Sequence, residues 1–207
     1  MIKKNSLILF QGDSITDADR NREDNNSLGY GFVNMIASRW EALFPELNTR
    51  FINRGISGDR AINLKNRWQE ECIDFAPDYV SILIGINESC IRYSYNEITT
   101  VDDFRANYRD ILVQTREKTG AKIIICEPFL IPVSDEKKVW REDLNPKIDV
   151  VRELAREFAD VYIPYDGLFA AACCKREPSF WSFDGVHTNQ VGNAFLAEHW
   201  INSVMSI

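Results

Sequence analysis

Two histidines occur in this chain, and only one has an acid close by in sequence. His187 follows Asp184 by three positions, with a glycine between them. A carboxylate at this spacing can hold the ring Nδ1–H within one turn and leave Nε2 as a base. His199 lies in a predicted helix without such a partner, so we expect it to be structural. If a serine is activated by a histidine in this protein, that histidine is therefore His187.

Ser14 is the candidate nucleophile for this base, because it directly follows a predicted buried strand. The segment Gly12-Asp-Ser-Ile-Thr16 can point the serine hydroxyl into a crevice at the end of that strand. A serine hydroxyl needs a base within hydrogen-bond reach to attack a carbonyl. Serine at a strand end is also a common helix cap, so this segment by itself is compatible with both interpretations.

Two further segments contain groups that can donate hydrogen bonds to an anionic oxygen. Asn53-Arg-Gly-Ile-Ser-Gly-Asp59 has two glycines three positions apart, which let the backbone turn sharply and expose an N–H. In Gly85-Ile-Asn-Glu88, the side-chain amide of Asn87 is a donor of the same kind. A strand-to-helix turn capped by Asp59 and an Asx turn at Asn87 explain the same residues without chemistry.

These segments separate alternating short apolar runs and amphipathic stretches. The predicted strands are Leu7–Phe10, Arg50–Asn53, Tyr79–Ile84, Lys122–Cys126 and Val161–Ile163. The predicted helices are Gly29–Leu43, Asp59–Cys72, Val101–Lys118, Ile148–Ala159 and Gln190–Val204. This alternation predicts one domain over residues 1–207, an α/β fold of three layers (α/β/α) with a central five-stranded parallel sheet. Ligands bind beyond the carboxyl ends of such strands, so the candidate segments should converge there.

Composition is typical of a globular protein and argues against two classes of partner. The 207 residues include 24 Lys+Arg and 31 Asp+Glu, giving a net charge of −7, and 45% are hydrophobic. An acidic chain without a basic cluster is atypical of nucleic-acid binding, and no apolar run reaches the roughly 18–20 residues of a membrane span. The apolar stretch after Lys3 and Lys4 is too short for a secretion signal, so we expect a cytoplasmic protein.

No metal and no organic cofactor is predicted for this chemistry. Five cysteines are present, an odd number without CxxC spacing, and we expect them to be reduced thiols. The pentapeptide G-x-S-x-G of the α/β-hydrolases is absent from the sequence, which excludes that layout of a serine hydrolase.

The order of the four segments resembles the SGNH (GDSL) hydrolases, over nearly the whole chain. Gly-Asp-Ser, a loop glycine, Gly-x-Asn and Asp-x-x-His occur in that family's order, and the extended first block Gly12–Arg20 is most similar to bacterial acetylxylan esterases. The resemblance implies a flavodoxin-like SGNH hydrolase fold. Two positions depart from the pattern: Glu88 stands where Asp usually follows the asparagine, and Phe183 stands at a position where Trp is an alternative.

The resemblance also implies a role for each matching residue. Ser14 matches the nucleophile, and Asp184 and His187 match the other members of a Ser-His-Asp triad. The backbone N–H groups of Ser14 and Gly58 and the Asn87 amide match the oxyanion hole. The implied activity is removal of O-acetyl groups from carbohydrates of the xylo-oligosaccharide type. A family pattern is an analogy for the substrate, so the sugar is an expectation.

Aromatic residues near the Asp184 segment are candidates for a sugar-binding surface. Trp181 and Phe183 flank this segment, and Trp140, Tyr93 and Tyr95 are weaker candidates. Packing in the core or at a subunit interface explains such residues equally well.

Several alternatives to the carbohydrate acetylesterase stay open at this point. A broad carboxylesterase, lysophospholipase or thioesterase would use the same groups. Acyl transfer to an alcohol, and a catalytically silent sugar-binding or assembly protein, are further alternatives. With 12% aromatic residues, we also expect a homo-oligomer.

Overall fold

The computed structural model describes residues 2–206, and its centre is a parallel sheet. The strands are β1 (Leu7–Gly12), β2 (Arg50–Asn53), β3 (Tyr79–Leu83), β4 (Lys122–Cys126) and β5 (Val161–Ile163). They lie in the order β2-β1-β3-β4-β5, and every neighbouring pair is parallel. The predicted five-stranded parallel sheet is therefore confirmed.

Helices connect the strands and cover both faces of the sheet. They are α1 (Ser14–Asp17), α2 (Phe32–Leu43), α3 (Ala61–Glu71), α4 (Ile86–Tyr95), α5 (Val101–Lys118), α6 (Asp135–Val139), α7 (Arg141–Phe158), α8 (Tyr165–Cys173) and α9 (Gln190–Met205). Short 3₁₀ turns occur at Pro45–Leu47, Ile73–Phe75 and Pro178–Phe180. Among residues 2–206, no helix combines the length and apolar character that crossing a bilayer requires.

Alternation of side chains along the strands produces two apolar cores. Ile8 and Phe10 of β1 pack with α2, α8 and α9 on one face of the sheet. Leu7 and Leu9 pack with α3, α5 and α7 on the other face. Every residue of β3 is buried, as expected for a strand covered on both sides. The predicted three-layer α/β/α arrangement follows from this division.

Three predicted helix starts differ from the observed ones. Helix α2 begins at Phe32 and not at Gly29, whose φ of +75° is not helical, and polar contacts decide the other two. Asp59 does not cap α3: its carboxylate accepts from Arg67 Nε at 2.8 Å, and Glu88 Oε1 instead accepts from Ala61 N at 2.8 Å. The helix predicted from Ile148 begins at Arg141. Its first turns bury Asp143 against Lys147, whose Nζ lies 2.6 Å from Asp143 Oδ2, and this pair interrupts the apolar periodicity.

The strand order determines where a ligand can bind. From β1 the chain crosses to β2 at one edge of the sheet and then returns to β3 on the opposite side of β1. The connections diverge at this point, which opens a crevice beyond the carboxyl ends of β1 and β3. Gly12 pairs with Leu83 at the ends of these strands, so the segments that carry Ser14 and Asn87 start side by side.

Candidate active site

Ser14 begins α1, directly beyond the end of β1. Asp13 is the N-cap of this helix, and its Oδ1 accepts from the backbone N–H of Ile15 at 3.0 Å. The hydroxyl of Ser14 lies 2.8 Å from His187 Nε2, across a separation of 173 positions in the sequence. The structure thus brings the predicted nucleophile and the predicted base into direct hydrogen-bond contact.

Asp184 both folds the turn that carries His187 and holds the imidazole ring. Its Oδ1 accepts from the backbone N–H groups of Val186 at 2.9 Å and His187 at 2.7 Å. Its Oδ2 lies 2.7 Å from His187 Nδ1. A carboxylate at this nitrogen favours the tautomer with Nδ1–H, which leaves the Nε2 lone pair directed at the Ser14 hydroxyl.

Ser182 stabilises the same turn and was not found by sequence reasoning. Its buried hydroxyl donates to the His187 carbonyl at 2.6 Å and accepts from Gly185 N at 2.8 Å. A serine two residues before Asp184 is the one sequence signal for this contact, since short hydroxyl side chains commonly close local turns.

The charges of this turn shift the pKa values of both partners. Burial alone would raise the pKa of Asp184, but hydrogen bonds from the His187 ring and from the backbone of His187 and Val186 hold it well below its usual range. The hydrogen bond to Asp184 raises the pKa of His187 above its ordinary value of 6.5, against partial desolvation. The ring is therefore a stronger base than an isolated histidine.

Asp13 is a buried carboxyl group next to the nucleophile. Burial raises its pKa to about 7, opposed by the hydrogen bond from Ile15 N. Its Oδ2 has no hydrogen-bond partner among the described residues. Near neutral pH, Asp13 therefore carries only part of a negative charge beside the His187 ring.

Backbone contacts bring the segment containing Gly58 to the end of β1. The N–H of Ile56 donates to Gly12 O at 3.0 Å, and the N–H of Ser57 donates to Asp17 Oδ2 at 2.9 Å. Gly58 follows with φ +88°, a conformation that favours glycine, and its Cα faces open space. The turn leaves Gly58 exposed, and its neighbour Ser57 lines the cavity beside Ser14, whereas Gly58 does not.

Asn87 lies in the first turn of α4, where no helix was predicted. Its side chain is 8% exposed, and Nδ2 donates to the carbonyl of Asp59 at 2.9 Å. This contact fixes the NH₂ end of the amide toward the loop that contains Gly58. Because an amide nitrogen carries two hydrogens, one N–H stays available for a second acceptor.

Glu88 contributes a second contact between α4 and the same loop. Its carboxylate is buried and accepts from Ala61 N, and desolvation raises its pKa. The two adjacent side chains Asn87 and Glu88 thus hold residues 59–61 from one helix turn. The departure from the family pattern at position 88 keeps an acid, and that acid caps a neighbouring helix.

A cavity of about 360 Å³ opens beside Ser14 and His187. The remaining lining residues are Ile15, Asp17, Ala18, Asp19, Tyr30, Gly31, Ser57, Thr188 and Asn193. Most of these were not found by sequence reasoning, because they come from loops whose convergence depends on tertiary structure. Polar and apolar surface contribute about equally to this lining, and among the described residues neither a lysine nor an arginine belongs to it.

The aromatic residues predicted as crevice walls are placed elsewhere. Trp181 packs in a half-buried cluster with Phe169, Phe180 and Phe195, and it does not line the cavity. Phe183 is 84% exposed and is also not part of the lining.

The weaker aromatic candidates and the second histidine also lie outside the cavity. Trp140 is buried and stacks on Tyr93, with ring centroids 5.7 Å apart, and Tyr95 is exposed outside the lining. His199 packs against Phe195 on α9.

Comparisons with known proteins agree on the family. The profile of the GDSL-like Lipase/Acylhydrolase family matches residues 10–195. An acetylxylan esterase from Geobacillus stearothermophilus is 31% identical over 95% of this chain and 93% of its own length. The solved structure of Axe2, an acetylxylan esterase from the same organism, superposes with a TM-score of 0.91 at 30% identity, covering 98% of this chain and 95% of that one.

A second solved structure leads to the same assignment. A protein described as a GDSL-like lipase, from Parabacteroides merdae, has a TM-score of 0.92 at 33% identity, covering 98% of this chain and 97% of that one. The family match and these full-length similarities bear out the resemblance in the sequence motifs. The protein is an SGNH-type esterase and belongs to the GDSL-like lipase/acylhydrolase family.

Proposed function

We propose that this esterase removes O-acetyl groups from carbohydrates through a Ser-His-Asp triad and a covalent acetyl-enzyme. The observation that carries the proposal is the 2.8 Å contact between Ser14 Oγ and His187 Nε2, with Asp184 at 2.7 Å from the other ring nitrogen. A nucleophile, its base and a group that orients the base are in mutual hydrogen-bond contact.

In the first half of the reaction, the sugar leaves as a free alcohol. Ser14 Oγ attacks the acetyl carbonyl carbon while His187 Nε2 takes the hydroxyl proton. The tetrahedral adduct then collapses, the bond to the sugar oxygen breaks, and His187 returns the proton to that oxygen. Asp184 stays ionised throughout and stabilises the imidazolium.

Negative charge develops on the former carbonyl oxygen during this attack. We assign its stabilisation to the backbone N–H groups of Ser14 and Gly58 and to the second N–H of the Asn87 amide. Losing one donor of this kind costs about 10²–10³ in rate, roughly 3–4 kcal/mol. The hydrogen bond from Asn87 to Asp59 supports this assignment, since it orients the amide with nitrogen toward the loop.

In the second half of the reaction, water takes the place of the sugar. His187 removes a proton from the water as its oxygen attacks the acetyl carbon of the acyl-enzyme. Collapse of the second adduct breaks the bond to Ser14 Oγ, which regains a proton from His187. The products are acetic acid and the free enzyme.

Two observations support an acetylated sugar as the substrate. Acetylxylan esterases resemble this chain over nearly its full length. The side chains of Asp19, Thr188 and Asn193 line the cavity beside Ser14 and can form hydrogen bonds with a hydroxylated alcohol.

The test is release of acetate from acetylated methyl β-xyloside. Wild type should turn this ester over, and Ser14→Ala should lose about 10⁴-fold or more of the activity. Ser203→Ala is the matched control, because Ser203 lies on α9 and its hydroxyl bonds only to the His199 carbonyl. Equal rates for wild type and Ser14→Ala would overturn the mechanism. Hydrolysis that rises from acetyl to octanoyl esters would overturn the acetyl preference.

A further inference from the structure

Tyr30 combines strong exposure with a position at the catalytic cavity. Its side chain is 82% exposed, yet it lines the same cavity as Ser14 and His187. Most aromatic rings of this size are withdrawn from water in folded proteins, because their burial is favourable. An aromatic ring left in water in the lining of a cavity is available to contact a ligand.

The backbone holds Tyr30 in place through contacts that only glycine neighbours permit. The N–H of Tyr30 donates to Ala18 O at 2.8 Å. A Cβ at Gly29, where φ is +75°, would lie 2.4 Å from Asp17 O, and one at Gly31 would lie 2.6 Å from the Ala18 Cβ. The segment therefore packs directly on the turn after α1, and the Tyr30 ring projects from a fixed support.

The acids around Tyr30 determine which ligands suit the cavity. Asp17 is engaged, since its Oδ2 accepts from Ser57 N and from Arg22 at 2.6 Å. Asp19 is exposed, and within residues 2–206 it has no ion pair and no side-chain hydrogen bond. A free carboxylate and an exposed aromatic ring in the same cavity lining match a neutral polyhydroxylated ring, whose hydroxyls donate hydrogen bonds and whose C–H face is apolar. The same carboxylate repels an anionic ligand.

The volume of the cavity indicates which part of the ester binds at Tyr30. About 360 Å³ lies within the range of roughly 300–1,000 Å³ typical of small-molecule sites. An acetyl group has only two carbons and one oxygen and fills a small part of this space. The remaining space suits the leaving alcohol.

We infer that Tyr30 is the stacking platform for the sugar ring of the leaving alcohol, with Asp19 accepting a hydrogen bond from one of its hydroxyls. This inference rests on the proposed carbohydrate substrate and adds a specificity-determining residue to it. The platform contacts the sugar and takes no part in proton transfer, so it affects substrates with a sugar ring more than substrates without one.

The experiment compares two acetate esters that differ in the alcohol. Acetylated methyl β-xyloside carries the sugar ring, and ethyl acetate has neither a ring nor further hydroxyls. For each ester, kcat/KM is measured from released acetate in wild type, Tyr30→Ala and Tyr30→Phe. Tyr95→Ala is the matched control, because Tyr95 is 79% exposed at the end of α4 and does not line the cavity.

Tyr30→Ala should lower the ratio of kcat/KM for the xyloside to that for ethyl acetate by about three- to tenfold, the contribution of one aromatic contact. Tyr30→Phe keeps the ring and should keep the ratio, as should Tyr95→Ala. Circular dichroism and thermal melting verify that each variant is folded, as expected for changes at exposed side chains.

An unchanged ratio in Tyr30→Ala would overturn the platform while leaving the acetylesterase intact. Equal reductions in Tyr30→Ala and Tyr95→Ala would overturn it as well, since the effect would then not depend on the cavity. Hydrolysis of ethyl acetate without hydrolysis of the xyloside by wild type would show instead that the proposed carbohydrate substrate is wrong, and the platform with it.

Discussion

Replacing Asn87 separates a catalytic from a structural function of its amide. In Asn87→Ala, the proposed oxyanion loses one donor, which should lower kcat by about 10²–10³. The Asp59 carbonyl loses its 2.9 Å hydrogen bond in a buried environment, which should lower the free energy of unfolding by about 1–3 kcal/mol. For a domain of this size, each kcal/mol corresponds to roughly 2–4 °C in Tm.

A matched control removes a buried hydrogen bond away from the site. Ser81 lies in β3, and its hydroxyl accepts from Trp200 Nε1 at 3.0 Å in the core. Ser81→Ala should lower Tm by a comparable amount, because it leaves a buried donor unpaired. Its kcat should stay near that of wild type, since Ser81 faces the core and not the crevice.

The assay measures kcat and KM for an acetate ester together with thermal unfolding of each variant. Asn87→Asp adds a further comparison: it keeps the size of the side chain but places oxygens where the amide donated, so its kcat should fall at least as far as that of Asn87→Ala. If Asn87→Ala and Ser81→Ala lose similar Tm and both keep wild-type kcat, Asn87 is structural only. The assignment of the oxyanion donors would then be refuted.

Three other predictions concern charge and assembly. Activity should be lost as pH falls through the pKa of His187, because the protonated ring cannot accept the Ser14 proton. The acid limb of the pH profile of kcat/KM should lie above pH 6.5, since Asp184 raises the pKa of His187. In Asp184→Asn this limb should move to lower pH, and kcat should fall strongly. Asp19→Asn should raise the rate with an acetylated glucuronoside relative to the neutral xyloside, because it removes a negative charge that repels the glucuronoside. Asparagine can adopt the φ of 58° observed at this position. An unchanged ratio of the two rates would contradict a repulsive effect of Asp19. The exposed side chains of Phe183 and Ile98 lead us to expect a homo-oligomer. Sedimentation velocity measures the oligomeric state, and a monomer at micromolar concentration would contradict this expectation.

Local sequence signals predicted the elements whose ends depend on local contacts. Helix α5 was predicted with its observed limits, Val101–Lys118, because one face of the helix is regularly apolar and Gly120 follows its end. The structure adds an N-cap, since the Thr100 hydroxyl accepts from Asp103 N. Strands β2, β4 and β5 also have their predicted limits, since short apolar runs end at polar or turn-forming residues.

Helix α8 was also missed, and the first turns of α7 and the whole of α4 were missed because their polar residues contact distant segments. The first turns of α7 bury Asp143, which accepts from Ser89 and Arg92 of α4, so polar residues occupy positions where periodicity requires apolar ones. Helix α4 was missed for the related reason that its first turn contains Asn87 and Glu88, whose partners lie on another loop. The sequence alone does not show that a polar side chain will meet a hydrogen-bond partner from a distant segment of the folded chain.

The same distinction applies within the candidate site. The turn that joins Asp184 to His187 closes through local hydrogen bonds, and its spacing is visible in the sequence. The contact with Ser14 depends on the loop after β1 and the loop before α9 meeting beyond the carboxyl ends of the strands, and this convergence was predicted from the alternation of elements. Tyr30 gave no such signal, because a tyrosine between two glycines is compatible with any exposed loop.

Acidic groups near the crevice increase the stabilisation that the proposed oxyanion donors must supply. Asp184 is held ionised by its hydrogen bonds, burial raises the pKa of Asp13 to about 7, and Asp19 is unpaired among the described residues, so several acidic groups lie near Ser14 and His187. The hydrogen bond to Asp184 and the charges of Asp184 and Asp13 raise the pKa of His187, against desolvation and the charge of Lys137, and a more basic ring favours removal of the Ser14 proton. Negative charge near Ser14 opposes the next event, the accumulation of charge on the carbonyl oxygen, and among the described residues no lysine or arginine lines the cavity. Stabilisation of the oxyanion therefore depends on hydrogen-bond donors close to it. For this reason the loss of kcat in Asn87→Ala should lie toward the upper end of the range of about 10²–10³.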